Sequence, residues 1–454
     1  MTRFAAPARS LGLKLILIGA LAFVLWIPCI LIYALVWERS TRADGVRAEI
    51  HDLAGGAQTV SGPIILVPAL VDTGAKTSAG APVTRRITVA FTPQSLKIDG
   101  SAKASIRTRS IFDATVYDAD LVLSGEFGAL APPRINDGVA AYFWEDAELF
   151  VKLAGERSLN GVRANPSLSV NGKPHGGKFE PGVSFEADGD RIDEAVSGVR
   201  IALPIDDPAA GLSFDMALPL SGGGSIRFAP VGEETTVAFA SDWPHPSFQG
   251  ARLPDARTIS GDGFSAEWRI PYLARSLPRS FIADHGLRSL DDGKTFGVSF
   301  MSTDSPYQSV NRALKYALLF LGVVFLTFFL IEATMGGRAH PAQYILLGLA
   351  QVIFYLLVLA FAEHIGFETA FIGAAAATVC LSGVYAATVF HSLWRGLVAL
   401  LAFSGAYGLI YLLMKSEDYA LLIGSVAAFG AIAVTMAVTR NLDWYGGRMK
   451  EDRA

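Results

Sequence analysis

The sequence predicts a membrane protein in which an all-β, sandwich-like periplasmic domain is inserted between one N-terminal transmembrane helix and a C-terminal bundle of five more. Three observations predict this fold class. An apolar run of membrane length lies near the N-terminus, a long polar block follows it, and five further apolar runs come after that block. The composition agrees, because 51% of the 454 residues are hydrophobic and only 18% are charged, against about a quarter in average soluble domains.

The first span is predicted over residues 13–37, after a short cytoplasmic N-terminus of residues 1–12. Only Lys14 interrupts this apolar run, which exceeds the roughly 20 residues that cross a bilayer core. The run is longer than the apolar core of a signal peptide, and no small-residue cleavage site follows it, so an uncleaved signal anchor is favoured over a cleaved signal peptide. The mixed-charge stretch beyond it predicts a helical continuation that ends at Gly55-Gly56.

Residues 38–311 are predicted to form the β-rich periplasmic domain. Apolar and polar residues alternate in short runs bounded by Gly, Pro, Asn and Asp, as is typical of half-buried antiparallel strands. These runs cover residues 85–91, 119–123, 149–153, 212–216 and 225–228. The Gly222-Gly223-Gly224 run is predicted to be a hairpin loop, not a phosphate cradle, because no Lys-Ser/Thr pair and no helix follow it.

Residues 94–100 and 166–172 resemble each other weakly. Two interpretations are open. The two segments belong to related β subdomains, or they are unrelated strands that each end in a turn, since Asp-Gly and Asn-Gly are favoured turn pairs.

Residues 312–440 are predicted to form the five-helix bundle, and residues 441–454 a cytoplasmic tail. The five runs contain no charged residue and cover residues 316–331, 342–362, 369–390, 396–414 and 419–439. Basic residues are expected on the cytoplasmic side of a membrane protein. With the N-terminus inside, Arg338, Arg395 and Arg440 fall on that side and Glu363 falls outside, so both termini are predicted to be cytoplasmic.

Polar residues of the bundle are candidate contacts, because such groups within membrane helices are usually functional or interhelical. Glu332, Glu363 and His364 lie near helix ends, where we expect water or headgroups to solvate them. Gln351 and Tyr355 are four residues apart and are expected to hydrogen-bond to a neighbouring helix. Polar groups near the midplane are otherwise scarce, which disfavours a transporter.

The segment 241–248 holds a candidate functional loop formed by Asp242, Trp243 and His245, with a proline on each side of the histidine. It is either a ligand or metal contact made by Asp242 and His245, or a structural corner with its aromatic side chains in the core. The corner is favoured, because a metal site needs three or four ligands and the other histidines have no matching spacing. No metal and no cofactor are therefore predicted.

The chain contains no recognisable catalytic motif: no nucleophile elbow, phosphate-binding loop or Cys–His pair. No catalytic residues and no enzymatic activity are predicted. The net charge of −4 gives no reason to expect nucleic acid as a partner. The only cysteines, Cys29 and Cys380, lie in apolar runs, so no disulfide framework supports the β domain.

Several strings occur together in one order along the chain: Gly62-Pro63 and the residues 241–248, 312–317, 340–344, 354–355, 363–367 and 439–445. With these strings the chain resembles the CreD family of bacterial inner-membrane proteins, often described as cell envelope integrity proteins. The resemblance covers nearly the whole chain and implies a multi-pass inner-membrane protein that affects envelope integrity and tolerance to certain colicins and β-lactams. It also implies expression tied to a two-component regulatory system, and it brings no catalytic residues.

Three hypotheses follow for the function. The first is a non-enzymatic envelope protein whose β domain binds a periplasmic envelope protein or cell-wall material while the helices contact the lipid bilayer. The second is a transporter or lipid-handling protein, because the bundle is large. The third is a periplasmic hydrolase with His245 in its site.

Overall fold

The computed structural model describes residues 11–76, 82–131, 139–155, 157–183, 196–275, 277–291, 293–301, 306–335, 339–416 and 419–440. Two compact units are present. The helical unit comprises Met1–Ala43 and Asp304–Ala454, and the β unit comprises Asp44–Thr303. The predicted cytoplasmic tail and most of the predicted cytoplasmic N-terminus lie outside the described residues.

The helices in the described residues confirm the six predicted spans. They are α1 (Leu11–Leu53), α2 (Tyr272–Arg275), α3 (Ala283–Gly286), α4 (Pro306–Lys315), α5 (Ala317–Met335), α6 (Pro341–Ile365), α7 (Phe367–Val389), α8 (Leu393–Lys415) and α9 (Ala420–Thr439). All except α2, α3 and α4 are long and apolar enough to cross a membrane.

Helix α1 is longer than a span requires. Its 43 residues rise by about 65 Å, roughly twice the thickness of the hydrocarbon core. Only its first part is apolar, and its last ten residues belong to the β unit. The predicted helical continuation after the first span is therefore confirmed.

Helix α4 is amphipathic and separate from the span that follows it. One face buries Tyr307, Val310, Ala313 and Leu314, and the opposite face carries its polar residues. The helix ends at Lys315, and α5 begins two residues later. The apolar run predicted over residues 316–331 corresponds to α5, and α4 is a separate short helix that precedes it.

The strands of the β unit form two sheets. They are β1 (Gln58–Lys76), β2 (Pro82–Phe91), β3 (Ser95–Arg109), β4 (Phe112–Phe127), β5 (Val139–Tyr142), β6 (Glu148–Ala154), β7 (Ser167–Val170), β8 (Lys173–Pro174), β9 (Glu180–Val183), β10 (Val196–Ala202), β11 (Leu212–Gly223), β12 (Ser225–Phe228), β13 (Glu234–Ser241), β14 (Pro246–Gly250), β15 (Ala256–Ser260), β16 (Gly263–Ile270), β17 (Ser280–Ile282) and β18 (Phe296–Phe300).

Sheet A runs in the order β14-β18-β12-β1-β6-β10-β9, with β2 and β5 paired to β1 and β17 paired to β2. Sheet B runs in the order β15-β16-β13-β3-β4-β11-β7-β8. The prediction of antiparallel strands is correct for most described pairs. It is wrong for β1 with β12 and for β3 with β13, which are parallel because distant segments of the chain meet there.

A hydrophobic core lies between the two sheets and includes side chains of both. The alternation of apolar and polar residues along the strands explains this core, because every second residue of a strand faces the same side of its sheet. In β13, for example, Thr235, Val237, Phe239 and Ser241 are buried and the residues between them are more exposed. The predicted sandwich-like fold is confirmed.

The two similar segments lie in one sheet and share this core. Asp99-Gly100 lies in the middle of β3, whereas Asn171-Gly172 forms the turn between β7 and β8 with positive φ at both residues. The interpretation as two subdomains is therefore wrong, and the turn interpretation holds only for the second segment.

The triglycine run is not the predicted hairpin loop. The strand before it, β11, belongs to sheet B, and the strand after it, β12, belongs to sheet A, so the glycines carry the chain from one sheet to the other. The end of α1 packs here, and a Cβ added to Gly223 would lie 2.6 Å from the Cα atom of His51. Glycine is required at this position because helix and strand backbones approach each other closely.

Candidate functional site

The predicted loop residues Asp242, Trp243 and His245 lie between β13 and β14. Asp242 Oδ1 accepts a hydrogen bond of 2.8 Å from the backbone N–H of Ala104 on β3. Trp243 Nε1 donates to the carbonyl oxygen of Met301 at 3.1 Å, and the Met301 N–H donates to the His245 carbonyl oxygen at 3.3 Å. The rings of Trp243 and His245 meet edge to face with centroids 6.4 Å apart. These contacts hold the loop to β3 and to the chain that follows β18.

A shallow groove of about 320 Å³ lies on sheet B beside the edge strand β15. Small residues, Gly100, Ala238 and Ala240, contribute to its lining. The carboxylates of Asp99 and Glu267 also line it, and each forms an ion pair with a neighbouring basic residue, at 2.6 and 2.7 Å. All five residues of β15 are exposed, and β16 is the only described strand that pairs with it.

A buried arginine lies at another position of the β unit. Arg275 is fully buried, and its Nη1 donates to Thr92 Oγ1 at 3.0 Å and to the Val231 carbonyl oxygen at 2.6 Å. Its Nε and Nη2 have no hydrogen-bond partner among the described atoms. Burial lowers the pKa of Arg275, and Glu233 opposes this fall. No group of three or more potential metal ligands occurs in the described residues.

The Glu332 carboxylate lies at the centre of a charged cluster in the helical unit. It pairs with the Lys14 ammonium of α1, and its Oε2 accepts a 2.8 Å hydrogen bond from the Tyr344 hydroxyl. The Ala339 N–H donates to Glu332 Oε1 at 3.0 Å, and Lys14 Nζ donates to the Ala339 carbonyl oxygen at 2.9 Å. Glu332 is 7% exposed, so the expectation that solvent or headgroups surround it is wrong.

A neutral cluster lies in the middle of the bundle. Gln351 of α6 accepts a 2.7 Å hydrogen bond from the Tyr407 hydroxyl of α8 and donates to Ser382 Oγ of α7 at 3.3 Å. Three helices thus meet at one amide, as expected for Gln351. Tyr355 is completely buried, and its hydroxyl has no hydrogen-bond partner among the described atoms.

Glu363 and His364, at the C-terminal end of α6, have different environments. Glu363 Oε1 accepts a 3.0 Å hydrogen bond from the Tyr307 hydroxyl of α4 and lies 3.7 Å from Arg39 Nη1 of α1. The neighbouring His364 is exposed. Glu363 therefore joins three helices, while the histidine faces outward.

The residues of these clusters that are absent from the sequence-based candidates include Lys14, Tyr344 and Tyr407. The lone charge of Lys14 inside an apolar run was a usable signal, since a charge in a span requires a partner. The two tyrosines had no such signal, because their sequence neighbours are ordinary span residues.

The family model described as Inner membrane protein CreD matches residues 10–445. The chain belongs to the CreD family. A curated member, the inner membrane protein CreD of Escherichia coli strain K12, is 32% identical over 440 residues, which cover 96% of this chain and 94% of that protein. The resemblance seen in the sequence is therefore confirmed, and this CreD-family chain is an inner-membrane protein with six apolar helices of span length.

Two solved structures show a distant similarity to this CreD-family chain. A putative nutrient binding protein from Legionella pneumophila has a TM-score of 0.27 and 10% identity, over 64% of this chain and 89% of that chain. Yeast LTA4 hydrolase in complex with bestatin has a TM-score of 0.20 and 8% identity, over 80% of this chain and 69% of that chain.

Proposed function

We propose that this protein supports the integrity of the bacterial cell envelope from the inner membrane, with both termini in the cytoplasm and its β unit in the periplasm. In this proposal the β unit binds an extended segment of an envelope protein at the edge strand β15. The role is the one that the resemblance to the CreD family implies. The edges of the two sheets differ, and this difference indicates the binding surface.

The observation that carries the proposal is the difference between β15 and other edge strands. Edge strands expose unpaired N–H and C=O groups, and proteins often protect them with proline or by making them very short. Among the described edge strands, β8, β9 and β14 each contain a proline, at Pro174, Pro181 and Pro246, and β5 and β17 are only 4 and 3 residues long. β15 has five exposed residues and no proline.

The groove beside β15 adds a place for the partner's side chains. A peptide that adds a strand to a sheet gains affinity from main-chain hydrogen bonds and specificity from pockets for alternate side chains. Ala238 and Ala240 leave this space open, and Arg257 lies at its border. A small side chain of the partner matches the two alanines.

The bundle supports a role as an anchor. Gln351 and Tyr407 are buried and hydrogen-bonded to each other, and Tyr355 is packed in the same core. These polar side chains are used in helix packing. In this proposal, Asp242, Trp243 and His245 hold a corner of the β unit and are not a catalytic site.

Photocrosslinking in living cells tests the partner. A photoreactive residue at Thr258 on β15 is expected to form an adduct with an envelope protein. The matched control is Lys173 on β8, which is exposed at the opposite edge of the same sheet. Equal adducts from both positions, or none from Thr258, would contradict the proposed surface.

Complementation of a deletion strain tests the envelope role. Successive N–H groups of a strand point to opposite sides, so either Thr258→Pro or Ile259→Pro removes an outward donor of β15. One of the two variants is expected to lose tolerance to envelope-directed agents while the protein remains in the membrane. Full tolerance with both variants would count against peptide binding, and a deletion strain with normal tolerance would overturn the envelope role itself.

A further inference from the structure

An open apolar groove of about 500 Å³ lies in the helical unit between α1, α5 and α9. Its lining consists entirely of apolar side chains and glycines. Gly19 and Gly322 create much of the space, because a Cβ added to either would meet no atom within 4 Å. The wall formed by α9 contributes the small side chains of Ala428 and Ala431.

The groove suits hydrocarbon and not water. An apolar cavity of about 150 Å³ stays dry and binds benzene, and this groove is about three times that size. All three helices are long and apolar enough to span the membrane, so the medium at the opening is the interior of the bilayer. An unfilled groove would deprive its lining atoms of dispersion contacts.

The dimensions indicate a single acyl chain. The lining of α5 extends from Leu318 to Leu326, a rise of about 12 Å. One leaflet contributes about half of the roughly 30 Å hydrocarbon core, so the groove covers most of one leaflet. This is the distance over which one phospholipid chain runs.

The charged side chain next to the groove is already occupied. Lys14 directly precedes Leu15 of the lining, and its ammonium pairs with Glu332 and donates to the Ala339 carbonyl oxygen. The groove therefore recognises the chain of a lipid and not its headgroup.

We propose that the groove between α1, α5 and α9 holds one acyl chain of a membrane phospholipid as a structural ligand. The chain fills the space beside Gly19 and Gly322 and links α9 to the rest of the bundle. This contact matters for α9, because Thr439 is its only buried residue in the described part of the chain.

Groove-filling variants of the full-length protein test the site. Gly19→Leu and Gly322→Leu place a side chain in the groove. Gly373→Leu in α7 and Gly408→Leu in α8 are matched controls, because a Cβ added there also meets no atom within 4 Å and neither glycine lines the groove. The probe is phosphatidylethanolamine with a diazirine in its acyl chain, in vesicles that contain the protein.

Labelling of the groove peptides is expected to fall by about tenfold in the filling variants, a loss of about 1.4 kcal/mol in binding, and to stay unchanged in the controls. Equal labelling in all four variants would overturn the proposal. A second copy of the protein bound in the groove would also overturn the proposal. It would be detected as a disulfide between two Ala428→Cys chains in vesicles that contain the protein at low density.

Thermal unfolding of delipidated protein gives a second readout. Added phospholipid is expected to raise the midpoint of the wild type and the controls, because a ligand stabilises the state that binds it. The filling variants are expected to start from a higher midpoint and to show no increase. If the leucine variants do not fold, Gly19→Val takes their place, and an undiminished lipid response in that variant contradicts the site.

Discussion

The two polar clusters of the helical unit differ in charge and in what they join. The cluster around Glu332 consists of an ion pair and its hydrogen bonds, and it ties α1 to α5 and to the start of α6. The cluster around Gln351 is neutral and joins α6, α7 and α8 in the bundle centre. Every helix of the unit except α9 and α4 thus takes part in one of them.

The stability of the helical unit depends more on the ion pair than on the neutral hydrogen bonds. A buried charge is tolerated only with its partner, and removing one member of such a pair is far costlier than removing both. A neutral interhelical hydrogen bond in a membrane contributes little, about 0.6 kcal/mol on average. The ion pair of Lys14 and Glu332 is therefore expected to decide whether α1 stays docked, and the amide of Gln351 to adjust packing.

The largest effect is expected from Glu332→Ala, which leaves the Lys14 ammonium without its carboxylate. The free energy of unfolding should fall by about 3–5 kcal/mol, measured by thermal unfolding in detergent. The matched control is the double variant Lys14→Met with Glu332→Leu, in which no charge remains and most of the stability should return. A double variant as unstable as the single one would remove the contrast between the two clusters.

Tyr407→Phe should have a smaller effect, because it removes one neutral hydrogen bond to Gln351. The expected loss is about 0.6 kcal/mol and at most about 1.7 kcal/mol, in the same unfolding experiment. A loss as large as that of Glu332→Ala would show that neutral and charged clusters are equally important here.

His51, at the end of α1 in the β unit, is a titratable group outside the two clusters of the helical unit. Its Nε2 is buried without a hydrogen-bond partner among the described atoms. Burial lowers the pKa of His51 from its ordinary value of 6.5, and Arg47 adds to this, while Asp52 and a hydrogen bond with the backbone of Thr115 oppose it.

Because the native state binds the His51 proton more weakly than the unfolded state, the contribution of this residue to stability is lost as the pH falls from 6.5 through the lowered pKa. Unfolding of the wild type and of His51→Asn, measured between pH 5 and 8, should therefore differ in slope over this interval, with the steeper increase in the wild type. Parallel profiles would show that the imidazole is already solvated in the folded protein.

The smallest effect is expected from Tyr355→Phe, which is also the matched control for Tyr407→Phe. The Tyr355 hydroxyl is buried and has no hydrogen-bond partner among the described atoms. Its removal should leave the unfolding free energy unchanged or raise it by up to about 1 kcal/mol. A clear loss of stability would reveal a partner for this hydroxyl.

The elements that the sequence predicted well are those with a strong local pattern. All six spans were found because an apolar run of about 20 residues is sufficient evidence by itself. The strands over 85–91, 149–153 and 225–228 followed from alternation and lie within β2, β6 and β12. Gln351 was recognised as an interhelical contact because polar side chains in spans usually have partners.

The sites could be predicted only in part, because their members are far apart in the chain. Lys14 and Glu332 are separated by 318 positions, and no local pattern connects them. Glu332 was expected to be solvated at a helix end, but the start of α6 covers it. The triglycine run looked like a hairpin because the sequence shows two strands and not the sheet to which each belongs.

The sequence by itself determined that the chain contains six apolar segments of membrane-spanning length and a β-rich block, since hydropathy and periodicity are local properties of the chain. Only the tertiary structure decided which polar groups meet, which glycines lie against a helix end, and which edge strand stays open. These depend on contacts between elements that are distant in sequence, and packing in three dimensions selects them.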